Sequence, residues 1–295
     1  MKKKEKKYIA PNEASLGRWI CAMLLGMFIA MVIYFPVGLL FIDQTGSFHG
    51  IAISQILNLF TFTCMFVGLV IAIKLVCKTS LKDFVLGVGG KINKKECLIV
   101  LGLSLVCYFL PVLMDLGHIH MRGISFDTFA ATFLISLALI WTQTTCEELI
   151  FRGIFLRWIS KNDIGFNRKS ILVAVITSVL FALAHVTNPE VTSLSGMEQI
   201  AMVCVYIIPG MAFFLMDLYF GNLMPGIIMH FVNNFMLSVL INGEVSALGI
   251  PSLMVDTADH SAYVRLICVL LEQLPFVVYV LWDIRKKKKA AASQG

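Results

Sequence analysis

Three short stretches place ionisable or amide side chains among apolar neighbours. They read EELIFR (Glu147–Arg152), FALAH (Phe181–His185) and HFVNN (His230–Asn234), and the run before the first, Ala131–Trp141, carries no charge. On insertion scales an Asp, Lys or Arg at the middle of a membrane helix costs about 2.5–3.5 kcal/mol. Such residues therefore face a bundle interior and mark functional sites by default. In a helix, residues four apart share a face, so Glu148 and Arg152 form an ion pair in the favourable order and can neutralise each other. Glu147 is rotated by about 100° from Glu148, points elsewhere, and is left for chemistry or another partner. His230 and Asn234 are likewise one turn apart on one face, with Asn233 directed about 100° away. Phe181 sits one turn before His185.

One carboxylate, two imidazoles and an amide support a limited chemistry. A desolvated carboxylate holds a proton more tightly than one in water and can act as a general base near neutrality. Glu147 could so activate a water, helped by His185, while His230 and Asn234 donate hydrogen bonds to a developing oxyanion. That set suffices for peptide hydrolysis. Glu147, His185 and His230 could instead hold a divalent metal such as zinc with an open water position. Spacing alone does not separate the two readings. H-E-x-x-H, G-x-S-x-G and an aspartyl pair are all missing from the sequence. Taken singly, the histidines also have plain structural readings: His185 as an interfacial residue beside the Thr187–Pro189 turn, His230 and Asn234 as interhelical hydrogen-bonding glue.

The elements that must position these residues are membrane helices. The 295 residues are 58% hydrophobic and 14% charged, where a soluble domain carries roughly 25% charged residues, and the mean hydropathy is +0.85. A helical span needs about 20 apolar residues. Candidates are Gly17–Ile42, Ile51–Cys77, Cys97–Asp115, Phe126–Ile159, Ser170–Val186, Gln199–Phe220, Pro225–Ile241 and Tyr263–Trp282. The expected fold class is all-α, a polytopic bundle of about eight transmembrane helices. It is organised as a basic cytosolic segment (1–16), one membrane domain (17–284, motif core 126–241) and a basic cytosolic tail (285–295). The closing AAASQG has no assignable role and is consistent with a tag remnant. The fourth span must tilt strongly or project beyond the bilayer. At about 1.5 Å per residue, Glu147 lies roughly 20 Å from a helix end near Lys161 and His185 roughly 24 Å from Lys169. On the same rise, His230 and Asn234 lie roughly 13 and 20 Å from Gly221. The four can therefore meet within the membrane.

Charge sets the orientation. All but Arg122 and Arg265 of the 24 Lys and Arg residues fall on one side of alternating loops, which places both termini in the cytosol by the positive-inside rule. The net charge of +6 is thus topological, suits contact with anionic lipid, and gives nucleic-acid binding no support. The start MKKKEKK resembles a signal n-region, but the apolar run after it is too long for a signal peptide. The eight cysteines contain no C-x-x-C pair and read as small buried apolar residues. The loop Lys78–Glu96 suits an interfacial amphipathic segment. Buried Glu and His also suit a proton-coupled transporter, but no internal repeat supports one.

Together the three stretches resemble the motifs E-E-x-x-x-R, F-x-x-x-H and H-x-x-x-N of the CAAX prenyl endopeptidase and bacteriocin-processing (CPBP, or Abi) family of intramembrane proteases. Order and spacing match over roughly Phe126–Ile241. The resemblance implies an intramembrane endopeptidase in which Glu147 is the water-activating base and His185 assists it. It implies that His230 and Asn234 form the oxyanion site, with Glu148, Arg152 and Phe181 in support. It favours a metal-free glutamate mechanism over a metalloprotease. Implied partners are membrane lipid and a membrane-associated peptide or protein, such as a bacteriocin or pheromone precursor, with a sensor kinase or bacteriocin system as a further candidate. The compact loops and lysine-rich ends suit a multi-pass protein of a bacterial plasma membrane. A non-catalytic regulator or immunity protein of the same fold is the competing expectation.

Overall fold

A computed structural model describes residues 15–41, 46–113, 115–156 and 167–293. It is helical almost throughout. Helix α1 spans Leu16–Leu40 and opens on Ser15, whose Oγ accepts the Arg18 N–H at 3.3 Å. A short hairpin, β1 (Ser47–Phe48) and β2 (Ile51–Ala52), leads into α2 (Ile53–Val76). The two helices cross through small residues. A Cβ on Gly68 would stand 2.2 Å from the Gly26 carbonyl oxygen, so the backbones touch there, and Ala22 and Ala72 continue the contact in the buried core. Membrane helices pack closely through such residues because lipid supplies no hydrophobic force to press them together.

The basic loop that follows contains α3 (Leu81–Leu86), capped by Ser80. It does not lie free at an interface. Phe84 and Val85 are buried, and the Val85 carbonyl accepts the Leu223 N–H at 3.0 Å. Helix α4 (Lys94–Val112) is capped by Asn93. Helix α5 (Phe126–Glu148) is capped by Ser125 and runs into a π-helical turn, Leu149–Gly153. The continuous helix reaches Leu156, 31 residues in all, about 46 Å at the usual rise. That exceeds a hydrocarbon core of about 30 Å, as expected for a tilted or projecting helix. The expected continuation to Ile159 lies outside the described residues.

The remaining helices are α6 (Arg168–Leu183), α7 (Pro189–Thr192), α8 (Gly196–Phe220), α9 (Met224–Val239), α10 (Ala262–Glu272) and α11 (Leu274–Ala292). A three-stranded sheet of β3 (Ile119–Met121), β4 (Ile241–Gly243) and β5 (Met254–Asp256) sits where α4 and α9 end and α5 and α10 begin, in the order β3-β5-β4. Among the described residues six helical segments are long and apolar enough to cross a membrane: Leu16–Leu40, Ile53–Val76, Lys94–Val112, Phe126–Leu156, Gly196–Phe220 and Ala262–Lys287, the last with a turn at Gln273. All eight expected spans have a helix, but two are too short to count among those six. Both α6 and α9 have 16 residues, about 24 Å. Helix α9 can be short because it is interior. It packs against α4, α5 and α8, and its faces bury Ile227, Met229 and Val232. The last expected span, Tyr263–Trp282, is broken at Gln273 into α10 and α11.

Candidate active site

The interior position of α9 brings His230 between the ends of α5 and α6. The 100° step from Glu147 to Glu148 leaves Glu147 free to approach His230, as the spacing allows, but it does not keep Glu148 away from the same ring. It sends them to opposite edges of one imidazole. Oε1 of Glu148 lies 2.8 Å from Nδ1 of His230, and Oε2 of Glu147 lies 3.5 Å from Nε2. Oε1 of Glu148 also accepts from Nη1 of Arg152 at 3.0 Å, and both of those side chains are wholly buried. The pair expected from the spacing therefore forms, and it also grips the histidine. Asn234, one turn along α9, places Nδ2 3.3 Å from Nε2 of His230. An amide N–H donates, so His230 accepts at Nε2 and carries its proton on Nδ1, directed at Glu148.

The π-helical turn begins directly after Glu148. One extra residue per turn widens the helix, yet Arg152 still returns beneath Glu148. The guanidinium lies over the Phe181 ring, 4.2 Å from its centroid. A cation above an aromatic face is attracted by the ring quadrupole, and here that face replaces water. The first turn of α9 is fixed beside the pair. The Gly226 N–H donates to Oδ1 of Asp217 at 2.7 Å. A Cβ on Gly226 would stand 2.8 Å from Oδ2 of Asp217 and 3.0 Å from Oε2 of Glu148, so a larger residue would push α9 off the carboxylates.

His185 comes to the same place from the end of α6. Its Nδ1 donates to the Phe181 carbonyl at 2.7 Å, since a carbonyl only accepts, and this leaves a lone pair on Nε2. The ring stacks on Tyr206 with centroids 4.7 Å apart and touches Phe181 at 4.3 Å. Phe181 reaches His230 edge-on at 5.6 Å, and Phe213 stacks on His230 from the other side at 5.3 Å. The phenylalanine of the second stretch is thus the common wall of both histidines and the lid over Arg152.

His185, His230 and Asn234 line one cavity of about 580 Å³, together with Gln143, Phe181 and Tyr206. Asn233 also reaches it and donates from Nδ2 to Oδ1 of Asn234 at 3.1 Å. Glu147 is 6% exposed and stands behind that wall. Its Oε1 accepts from Nε2 of Gln143 at 3.4 Å. Glu148 is matched by Arg152, whereas no Lys or Arg among the described residues pairs with Glu147. The arrangement therefore concentrates one unmatched carboxylate, two imidazole lone pairs and two amides at the inner end of a cavity. Among the described residues no three His, Cys, Asp or Glu side chains are grouped as a metal ion requires, so Glu147, His185 and His230 do not form a ready cage.

Sequence reasoning passed over Gln143, Tyr206, Phe213 and Asp217. Gln143 had a legible signal: it lies four residues before Glu147 on the same helix face. The others stand on α8, whose sequence has no polar cluster, and only packing identifies them.

Residues 128–236 match the sequence model of the family described as type II CAAX prenyl endopeptidase Rce1-like. The resemblance to the CAAX prenyl endopeptidase and bacteriocin-processing family thus holds for the region that carries all three motifs. The chain is also similar to the uncharacterized protein YyaK of Bacillus subtilis (strain 168), 25% identical over 234 residues that cover 75% of this chain and 72% of that protein. No solved structure matches it.

Proposed function

We propose that this protein is an intramembrane endopeptidase of a bacterial plasma membrane, with both termini cytosolic, that hydrolyses a peptide bond in a membrane-associated peptide or protein. The observation that carries this reading is the imidazole of His230, held between Glu148 on one nitrogen and Glu147 on the other at the inner end of a cavity. The family match over the same residues supports a protease of CAAX type.

The chemistry follows from the proton positions. Glu147, unmatched by a cation, takes a proton from water as the water oxygen bonds to the scissile carbonyl carbon. His185 offers the lone pair of Nε2 to the second O–H and orients the water. The negative charge that develops on the carbonyl oxygen meets the amide of Asn234 and the edge of His230. Glu148 on Nδ1 stabilises positive charge on that ring, so His230 takes a second proton from solvent on Nε2 before the water attacks and keeps it through the reaction as a donor to the oxyanion. Preorganised donors of this kind contribute about 3–4 kcal/mol each in a water-excluded site. As the C–N bond breaks, the proton held by Glu147 passes to the leaving amine. Water reaches Glu147 when the side chains of Gln143 or Asn234 turn aside. No step requires a metal or other cofactor.

The test is cleavage of membrane peptides by wild-type protein and by Glu147→Gln. Loss of cleavage with folding intact supports the reading, and cleavage at the wild-type rate refutes it. A second reading draws on the burial of Glu147 behind the cavity wall: a regulator or bacteriocin-immunity protein of the same fold, acting on a sensor kinase or bacteriocin system by contact. In that case cells carrying Glu147→Ala keep the wild-type phenotype.

A further inference from the structure

The cavity extends well beyond the histidines, and its far wall is acidic. Asp115, Glu190, Glu244, Asp256, Asp259 and Glu272 all line it, against a single guanidinium, that of Arg265. Three of the six carboxylates are committed within the protein. Asp115 accepts from Nε2 of His260 at 2.6 Å. Glu190 accepts from Tyr206, from Nδ2 of Asn188 at 3.3 Å and from the Ala247 N–H at 2.9 Å. Asp256 accepts the Ala258 N–H at 2.9 Å. Glu244, Asp259 and Glu272 have no side-chain hydrogen bond or ion pair among the described residues.

Glu272 is the deepest of these. It lies ten residues after Ala262, at the end of α10, about 15 Å along the helix. His230 lies nine residues before Val239 on α9, about 13 Å along it. The sheet of β4 and β5 ties those two helix ends together, so the carboxylate and the imidazole stand at similar depth. Phe276, one turn beyond Glu272, packs in one cluster with Phe213, which stacks on His230. A second observation points to an occupant at the inner end. Gln143 is 8% exposed and lines the cavity, and its Oε1 has no hydrogen-bond partner among the described residues. A buried amide oxygen left unsatisfied costs about 1–3 kcal/mol, which a backbone N–H of a bound peptide would recover.

We propose that the cavity is a subsite for a cationic, otherwise apolar peptide, in which Glu272 receives a lysine or arginine side chain near the scissile bond and Gln143 receives a backbone N–H. This rests on the peptidase reading and names its substrate class. A carboxylate without a cation in a largely apolar cavity is costly to keep, and a basic side chain removes that cost while an acidic one doubles the charge. Glu244 and Asp259 extend the preference toward the cavity rim.

The test uses the full-length protein with Glu147→Gln, held in lipid nanodiscs so that bound peptide is not consumed. The probes are fluorescein-labelled ten-residue peptides of leucine and alanine that carry one lysine, glutamine or glutamate at successive positions, read by anisotropy. At the best position, the lysine peptide is expected to bind about tenfold tighter than its glutamate counterpart. The isosteric Glu272→Gln is expected to reduce that ratio to about two or less, and Glu272→Lys to invert it. A ratio unchanged by either variant, an absence of charge preference, or no binding of any probe overturns the proposal. Wild-type protein is tested for cleavage in parallel. Lysine-selective binding without cleavage supports the subsite and refutes the peptidase reading. Cleavage without charge preference does the reverse.

Discussion

Nδ1 of His230 and Oε1 of Glu148 lie 2.8 Å apart in the buried interior, and the same oxygen holds Arg152 at 3.0 Å. Glu148 is therefore more than the electrostatic partner of an arginine. It fixes which nitrogen of His230 carries the proton and supports positive charge on the ring. Glu148→Gln keeps the shape but removes that charge. The expected outcome is a fall in turnover of about 10²-fold or more with KM little changed, measured on purified protein with a cleaved peptide. A variant that loses stability but keeps turnover per folded molecule would reduce Glu148 to a structural role.

Arg152 and Glu148 are both wholly buried, so removing one partner leaves an uncompensated charge. Such a loss costs about 3–5 kcal/mol. Arg152→Met is expected to unfold at markedly lower temperature than wild type, as followed by thermal denaturation in detergent. Adding Glu148→Leu to Arg152→Met should restore much of that stability, because the lone carboxylate goes too, while activity stays absent. The contrast between recovered stability and unrecovered activity separates packing from catalysis at this pair.

Gln143 touches Glu147 through one hydrogen bond of 3.4 Å and otherwise faces the cavity. Removing a hydrogen bond of this kind shifts stability by about 0.5–1.5 kcal/mol. Gln143→Ala is expected to fold normally and to lose about tenfold in kcat/KM, with part of the loss in KM because the amide also faces substrate. Gln143→Glu should be worse than Gln143→Ala, since it sets a second carboxylate beside Glu147. Steady-state kinetics on the three proteins checks the order.

The contact between α1 and α2 makes a prediction outside the site. A Cβ on Gly68 would meet the Gly26 carbonyl at 2.2 Å, so Gly68→Val must separate two backbones. Overpacking of this kind costs about 1–3 kcal/mol. Reduced thermal stability without a change in kcat for the folded fraction is the expected result.

Much of this arrangement was legible in the sequence, for reasons that can be named. Glu148 and Arg152 were placed together by helix periodicity, and they meet. His230 and Asn234 were set on one face in the same way, and they touch. What periodicity could not give was the partner on the next helix. The spacing of Glu147 and Glu148 suggested divergence, yet an imidazole is wide enough to receive both. Hydropathy overruns the helix ends where pairing and packing set them. Hydropathy extends α9 to Ile241, but β4 begins there and pairs with β5. Hydropathy likewise runs through Gln273, where the backbone divides α10 from α11. The acidic wall of the cavity was invisible because its members come from distant loops and helices, from Asp115 to Glu272.

The central claim is that Glu147 activates water. Its most direct measurement compares the membrane and secreted peptides of cells expressing wild-type protein, Glu147→Gln and Glu147→Ala at equal levels, with metal content determined on the same purified proteins. The account predicts a defined set of cleavage products present with wild type, absent with both variants, and independent of stoichiometric metal. Identical products from Glu147→Gln, or activity that disappears with one tightly bound zinc, would contradict it.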